Sequence, residues 1–314
     1  MELREIGEFG LIKKISRDAK RKAVLVGIGD DTAVIRDGKE FILYTTDMMV
    51  EGDHFRKEWS PPEKIGRKAM ASNISDIAAM GGMPEYALIS ISLSSDVSVE
   101  YVELIYKGIY EVADRYGVDV IGGDTTHGSL MVINVALTGR TDEEHLTLRG
   151  DAKPGDYILV SGPLGGSKAG LELLLHGYQE PEKPIEKHLD PRCRMDIARE
   201  ISIYANAMID VSDGLASEVC HICEESGIGM VVEKEKIPLD EDTIRAAEIL
   251  GMDPYEFALN GGEDYELVFT VPEENLEEVR DYGTIVGRTG SRGMGIKIRD
   301  ERGINELKGG YVHF

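Results

Sequence analysis

The chain has 314 residues, 42% hydrophobic and 30% charged, with 58 acidic against 35 basic side chains and a net charge of −23. That length predicts roughly two domains at ~150 residues each, and the composition fits a globular protein with a real core. So negative a chain repels nucleic-acid backbone and anionic lipid, which excludes both as expected partners, and no apolar run approaches the ~18 residues of a membrane span. The opening Met1-Glu-Leu-Arg-Glu lacks a basic n-region and an apolar h-region, and Cys193, Cys220 and Cys223 cannot all pair internally. These features predict a cytoplasmic, reduced protein.

In chain order, residues 1–20 predict a helix interrupted at Gly7 and Gly10, followed by strands at Ala23–Ile28, Thr32–Arg36 and Glu40–Thr46. A helix then starts with Ser60 as cap, Pro61 at its first position and Glu63 completing a capping box, and ends at Gly81-Gly82 and Pro84. Ile65, Ala69, Ser72 and Asp76 share one face of that helix, with Asn73 beside it. Tyr86–Leu93 reads as a strand. A second helix runs from Ser98 to Gly117 with Val102, Ile105, Tyr106, Ile109, Ala113 and Tyr116 as its apolar stripe. Val118–Ile121 and Met131–Thr138 are further strands.

The turn-rich joint at Arg149–Gly155 marks a domain boundary, giving units 1–148 and 149–314. In the second unit, Tyr157–Ser161, Met208–Asp210, Met230–Glu233, Glu266–Val271, Thr284–Val286 and Gly295–Ile298 read as strands. Gly165–His176, Arg192–Tyr204, a segment opening at Ser212 and closing at Gly227, Asp240–Leu250 and Glu273–Asp281 read as helices. Gly177–Pro191, with three prolines and many charges, reads as a mobile surface loop. Strands and helices mixed in both halves predict an α/β (α+β) protein of two domains.

Aspartates stand at four predicted strand ends: Asp31 beside Asp30, Asp47, Asp124 and Asp210. Ligands of α/β folds collect beyond strand ends, and Asp76 and Asp213 reach the same region from helices. A buried carboxylate costs several kcal/mol (order of magnitude) unless paired or metal-bound. Turn and capping preferences explain any one aspartate, but Asp76 has no capping role. Oxygen-only donors without a His or Cys cluster suit Mg²⁺.

Glycine pairs before Asp124 and Glu263 offer backbone N–H groups to phosphate, although the G-x-x-x-x-G-K-[ST] loop is absent. Gly162–Lys168 imitates that loop without its order and reads as a strand-to-helix turn. Cys220 and Cys223 flank an apolar helix stripe and lack the further ligands zinc needs, so they read as buried apolar residues. On these residues alone, both a Mg²⁺-nucleotide enzyme and a non-enzymatic Mg²⁺-nucleotide-binding module remain open.

Taken together, the motifs form an ordered set. They are Gly-Ile-Gly-Asp-Asp at 27–31, Thr-Thr-Asp at 45–47, Glu-Gly-Asp-His-Phe at 51–55 and Asn-Ile-Ser-Asp-Ile-Ala-Ala-Met-Gly at 73–81. Gly-Gly-Asp-Thr-Thr at 122–126, Asp-Val-Ser-Asp-Gly-Leu at 210–215, Gly-Gly-Glu-Asp-Tyr-Glu-Leu at 261–267 and Gly-Tyr-Val-His-Phe at 310–314 complete it. This set resembles the thiamine-monophosphate kinase family of the aminoimidazole ribonucleotide synthetase-like superfamily, over essentially the whole chain. The resemblance implies transfer of the γ-phosphoryl of ATP to thiamine monophosphate with several Mg²⁺ ions. A superfamily relative that uses ATP to activate an oxygen for amine attack is the alternative. It further implies a homodimer whose N-terminal domains share a β-barrel, and a C-terminal domain that closes over the site.

Position by position, the resemblance puts Asp31, Thr46, Asp47, Asp76, Asp124, Asp210 and Asp213 on metal. Thr45, Tyr106, Gly123, Asp124, Arg149 and Ser212 would meet ATP, and His54, Glu263 and Tyr311 the thiamine monophosphate. Asp124, Asp210 and Arg149 carry the catalytic assignment. Adjacent side chains rarely aim at one point, so Asp31 is the expected ligand and Asp30 the turn-stabilising neighbour.

Overall fold

The structure is a computed structural model that describes residues 3–310. Its N-terminal part comprises α1 (Leu3–Ile15), β1 (Val24–Val26), β2 (Ala33–Asp37), β3 (Glu40–Val50), α2 (Pro62–Ala79), β4 (Met83–Leu93), α3 (Val99–Tyr116), β5 (Asp119–His127) and β6 (Val132–Asp142). These strands form one six-stranded sheet in the order β1-β2-β3-β6-β4-β5. Only β4 and β5 run parallel, as expected for strands joined through a helix, here α3. Odd-numbered residues of β3, among them Phe41, Leu43 and Met49, point into a core shared with Ile65, Ile74 and Ile77 of α2 and Ile105 and Ile109 of α3. Even-numbered Tyr44 and Met48, with Tyr86 and Leu88 of β4 and Ile121 of β5, leave the opposite face apolar and exposed.

The C-terminal part comprises β7 (Tyr157–Val160), α4 (Gly166–Leu175), α5 (Glu182–Leu189), α6 (Ala198–Ser202), β8 (Ala207–Asp210), α7 (Leu215–Ser226), β9 (Gly229–Glu233), α8 (Glu241–Leu250), α9 (Pro254–Asn260), β10 (Leu267–Val271), α10 (Leu276–Val279), β11 (Thr284–Gly290), β12 (Ile296–Asp300) and β13 (Gly303–Glu306). Its seven strands order as β13-β12-β9-β11-β7-β10-β8. The sheet is buried on both faces at its centre. Ile158, Val160, Ile209 and Val268 join the α7 side, while Leu159, Met208, Leu267 and Phe269 join Ala78 and Ala79 of α2. Helix α2 thus touches both sheets, which is why 13 of its 18 residues are buried and its apolar face is not a simple stripe. Among the described residues no helix is long and apolar enough to cross a membrane.

Several expectations are corrected. The predicted capping box does not form: Pro61 occupies the cap of α2 without a side-chain hydrogen bond, because Pro62 starts the helix one residue later. By contrast Ser98 does cap α3, accepting from the Tyr101 amide at 3.2 Å, and Gly117 ends it in the left-handed conformation. Gly7 kinks α1 at φ 63°, but Gly10 does not interrupt it. Helix α7 begins at Leu215 behind Gly214 rather than at Ser212. The predicted helix 192–204 shrinks to α6.

The predicted mobile loop 177–191 contains α5, whose Ile185 and Leu189 lie one turn apart and pack with Leu173 of α4 and Ala246 of α8. Helix α9 and strand β13 lie in segments whose sequence carries no strong period. Cys193 and Cys223 are buried and Cys220 half-buried, all three as free thiols.

Candidate functional site

Two of the aspartates expected at strand ends lie within strands instead. Asp47 pairs with Val135 midway along β3, and Asp124 pairs with Ser90 within β5. The strands continue because their partners supply ladder hydrogen bonds past the aspartate, so Asp47 leaves from the core face of the sheet. Asp210 does end β8, and Asp31 sits in the turn between β1 and β2.

Asp31, Asp76 and Asp210 converge, each offering a carboxylate oxygen within 4.8 Å of the others. They come from a turn, a helix and a strand in both halves of the chain. The Asp210 carboxylate accepts from Ser75 Oγ at 2.6 Å. The Thr45 hydroxyl donates to Asp76 Oδ2. Asn73 Oδ1 accepts from the Asp47 amide at 3.0 Å and fixes that strand against α2. Burial, followed by the charges of Asp47, Asp210 and Asp31, pushes Asp76 well above the ordinary carboxylate range. Burial and the charge of Asp31 do the same to Asp210. Asp47 is raised mainly by burial.

The cationic counterweight at this centre is Arg149, whose guanidinium pairs with Asp31 and stands 3.6 Å from Asp30. Asp30 behaves as a turn residue: its oxygens accept from the Asp31 amide at 3.0 Å and the Arg149 amide at 3.2 Å. Burial and the neighbouring Asp31 raise it to about 7.

This centre fits a hard cation. Its donors are all oxygen, and Asp31 Oδ2 is buried without a hydrogen-bond partner among the described residues. Burial, followed by the charges of neighbouring carboxylates, raises Asp76 and Asp210, and a bound divalent ion relieves that repulsion.

A pocket of about 370 Å³ adjoins it, with Asp47, His54, Ser212, Asp213, Glu263 and Tyr265 among its lining residues. Glu263 and Tyr265 hold φ of 65° and 50°, left-handed values that cost roughly 1–3 kcal/mol each in a non-glycine residue and persist where surrounding structure fixes them. The fixing is visible. The Glu263 amide donates to the Ser212 carbonyl at 2.9 Å, and the Tyr265 amide to the Val211 carbonyl at 2.9 Å. A Cβ on Gly262 would meet the Ser212 carbonyl at 2.0 Å, so this glycine serves loop-to-loop contact. Burial works to raise Glu263, but the Lys68 charge and a His188 hydrogen bond overcome it and hold the carboxyl at about 2.

Other predicted residues stand elsewhere. Thr46 points to the outer sheet face, where its hydroxyl bonds Asn134 at 3.2 Å, so its side chain is not with the acidic group. Asp124 is exposed and outside the close trio. A Cβ on Gly123 would meet the Ile89 carbonyl at 1.7 Å, so strand pairing already requires that glycine. Tyr106 stacks obliquely on Tyr110 at 6.2 Å on α3. Tyr311 lies outside the described residues. The phosphate-loop imitation at 162–168 is the expected strand-to-helix turn, and Asp264 fills it by accepting from the Gly165 and Ser167 amides.

Sequence reasoning missed Lys68, His188 and Glu218. Glu218 is buried, accepts from the Asp213 amide at 2.9 Å, and is raised well above its usual range by burial and then Asp213. A charged residue in an otherwise buried helix was the available signal for Lys68.

The two domains match the AIR synthase related protein family, the N-terminal domain over residues 29–141 and the C-terminal domain over 153–293. The class is therefore a two-domain AIR synthase-related protein. Within it, the thiamine-monophosphate kinase of Aquifex aeolicus is 41% identical over 302 residues, covering 95% of this chain and 96% of the relative. That of Pyrococcus horikoshii is 37% identical, covering 91% and 93%. A solved structure described as AaThiL complexed with AMPPCP and TMP superposes with a TM-score of 0.90 at 39% identity, covering 100% of this chain and 99% of that one. The chain belongs to the thiamine-monophosphate kinase family.

Proposed function

We propose that the protein transfers the γ-phosphoryl group of ATP to the phosphate of thiamine monophosphate, releasing ADP and thiamine diphosphate. The observation that carries this reading is the union of an acidic centre with an adjoining pocket whose wall holds a fixed carboxylate, Glu263. A bond forms between an acceptor phosphate oxygen and the γ-phosphorus as the bond to the β–γ bridging oxygen breaks. The acceptor oxygen is largely ionised at neutral pH, since the second pKa of such a monoester is about 6, so no side chain need remove a proton.

Catalysis here is positioning and charge neutralisation. A bound Mg²⁺ would supply charge neutralisation for the reacting phosphates. Asp31, Asp47, Asp76 and Asp210 would hold it, Thr45 orients Asp76, and Arg149 would meet the nucleotide. Ser212 and Asp213 border both ligands. His54 and Glu263 take the thiamine portion, Glu263 by accepting from its amino group.

The division at 148/149 puts Arg149 at the joint between the two halves of the site. The exposed apolar face of the N-terminal sheet supports a homodimer in which two such sheets close into a barrel. The three free thiols fit a reducing cytoplasm.

The test measures ADP release with Mg²⁺ and thiamine monophosphate, free thiamine or no acceptor. Release dependent on thiamine monophosphate, with equal thiamine diphosphate formed, is expected. Equal release without acceptor, or inorganic phosphate as the product, sinks the reading.

A further inference from the structure

We infer that Lys68 is a positioning residue for the acceptor, tying the two loops that recognise it to the helix that carries Asp76. This rests on the functional reading above. Lys68 is 2% exposed, a buried ammonium in a strongly acidic chain. Its ammonium hydrogen-bonds both Glu263 and the His54 carbonyl. Nζ lies 2.7 Å from each oxygen of Glu263 and 3.0 Å from the His54 carbonyl. The three oxygens belong to His54 and Glu263, one from each half of the chain, and both residues line the same pocket.

His188 backs the arrangement from α5, with Nδ1 3.4 Å from Glu263 and 3.2 Å from Ser167 Oγ. Lys68 itself is not among the residues lining the pocket, so it acts through Glu263 and the His54 loop.

An ion pair kept only for stability would not need to join two ligand-facing loops, and such pairs are often replaceable by apolar residues. Here the ammonium also sits on the same rigid helix as Asp76, roughly two turns and about 12 Å away along the axis. Helix α2 therefore fixes the spacing between the acidic centre and the Glu263 carboxylate. That spacing is the length an acceptor must span between its phosphate and its amino group. Lys68 sets specificity by length, and it does so without touching substrate.

The test uses the full-length protein with Mg²⁺, varying ATP and thiamine monophosphate separately. Lys68→Met is expected to raise the acceptor KM about ten-fold or more through loss of the fixed carboxylate, with the ATP KM within about two-fold. Lys68→Arg, whose planar fork does not match three convergent acceptors, is expected to show a smaller rise in the same constant. It also serves where the methionine variant does not fold.

Equal rises in both constants, or an unchanged acceptor KM in either folded variant, overturn the assignment. Wild-type protein that releases no ADP with thiamine monophosphate overturns the functional reading and this inference together. Active wild type with a folded but unaltered variant overturns this inference alone.

Discussion

The molecule buries carboxylates in two neighbouring places and treats them in opposite ways. At the acidic centre, Asp76 and Asp210 are driven up by burial and by neighbouring carboxylates, and Arg149 pairs with Asp31. In the adjoining pocket, Glu263 is also largely withdrawn from water but is held at about 2 by Lys68 and His188. Two like charges ~4 Å apart repel by about 4 kcal/mol at an effective dielectric of 20, so the first arrangement is incomplete without added cations. The second is already neutralised and presents a fixed acceptor to a neutral or weakly basic ligand. One region is built to be completed by metal and phosphate, the other to recognise an organic group.

The largest effect is expected from neutralising one member of the acidic centre. Asp210→Asn keeps an oxygen for the Ser75 hydroxyl yet removes a charge. Turnover is expected to fall about 10³-fold. Metal-free melting temperature is expected to stay level or rise by a few degrees, because a repulsion is removed. The Mg²⁺-dependent rise in melting temperature seen with wild type should largely vanish. Calorimetry with and without Mg²⁺ checks both. A large metal-free loss of stability would place Asp210 among structural hydrogen-bonding residues and dissolve the contrast.

A smaller effect separates the two regions by pH. Glu263 is depressed from an ordinary 4.5 to about 2. Its contribution is therefore present above 4.5 and lost as pH falls toward 2, on the order of 3 kcal/mol across the window. The raised carboxyls of the acidic centre have the opposite sign. Their contribution is present below the ordinary carboxylate range and lost as pH rises through their elevated values, where Mg²⁺ restores it. In denaturant unfolding without metal, Glu263→Gln should be less stable than wild type near pH 6 and converge on it as pH falls. Parallel curves at all pH values would mean that the Lys68–Glu263 pair contributes no linkage.

Sequence alone reached one region further than the other, for a physical reason. The acidic centre announces itself because its residues are costly wherever they are buried. Asp76 on a buried helix face and Asp210 after an apolar run were legible, as was α3 with Ser98 and Gly117 at its ends. Lys68 finds Glu263 across 195 positions, a partnership with no local signature. Strand ends were misplaced for a related reason. Asp47 and Asp124 look like terminators locally, but β6 and β4 carry β3 and β5 onward. Helix α5 was hidden because its prolines and charges obscure Ile185 and Leu189, whose partners in α4 and α8 make it a helix.

The smallest expected effect sharpens the boundary of the acidic centre at a single residue step. Thr45 and Thr46 are adjacent, so strand alternation sends them to opposite faces. The hydroxyl of Thr45 bonds Asp76, whereas that of Thr46 bonds Asn134 on the outer face. Valine conserves the shape of threonine and removes only the hydroxyl's polarity. Thr45→Val should therefore lower kcat about ten-fold, the loss of one hydrogen bond to a charged group. Thr46→Val should stay within about two-fold, because any contribution of residue 46 to the centre must then come from its backbone, which valine retains. Equal kinetic losses in the two variants would mean that the outer face takes part in the chemistry, and that the acidic centre extends through the sheet.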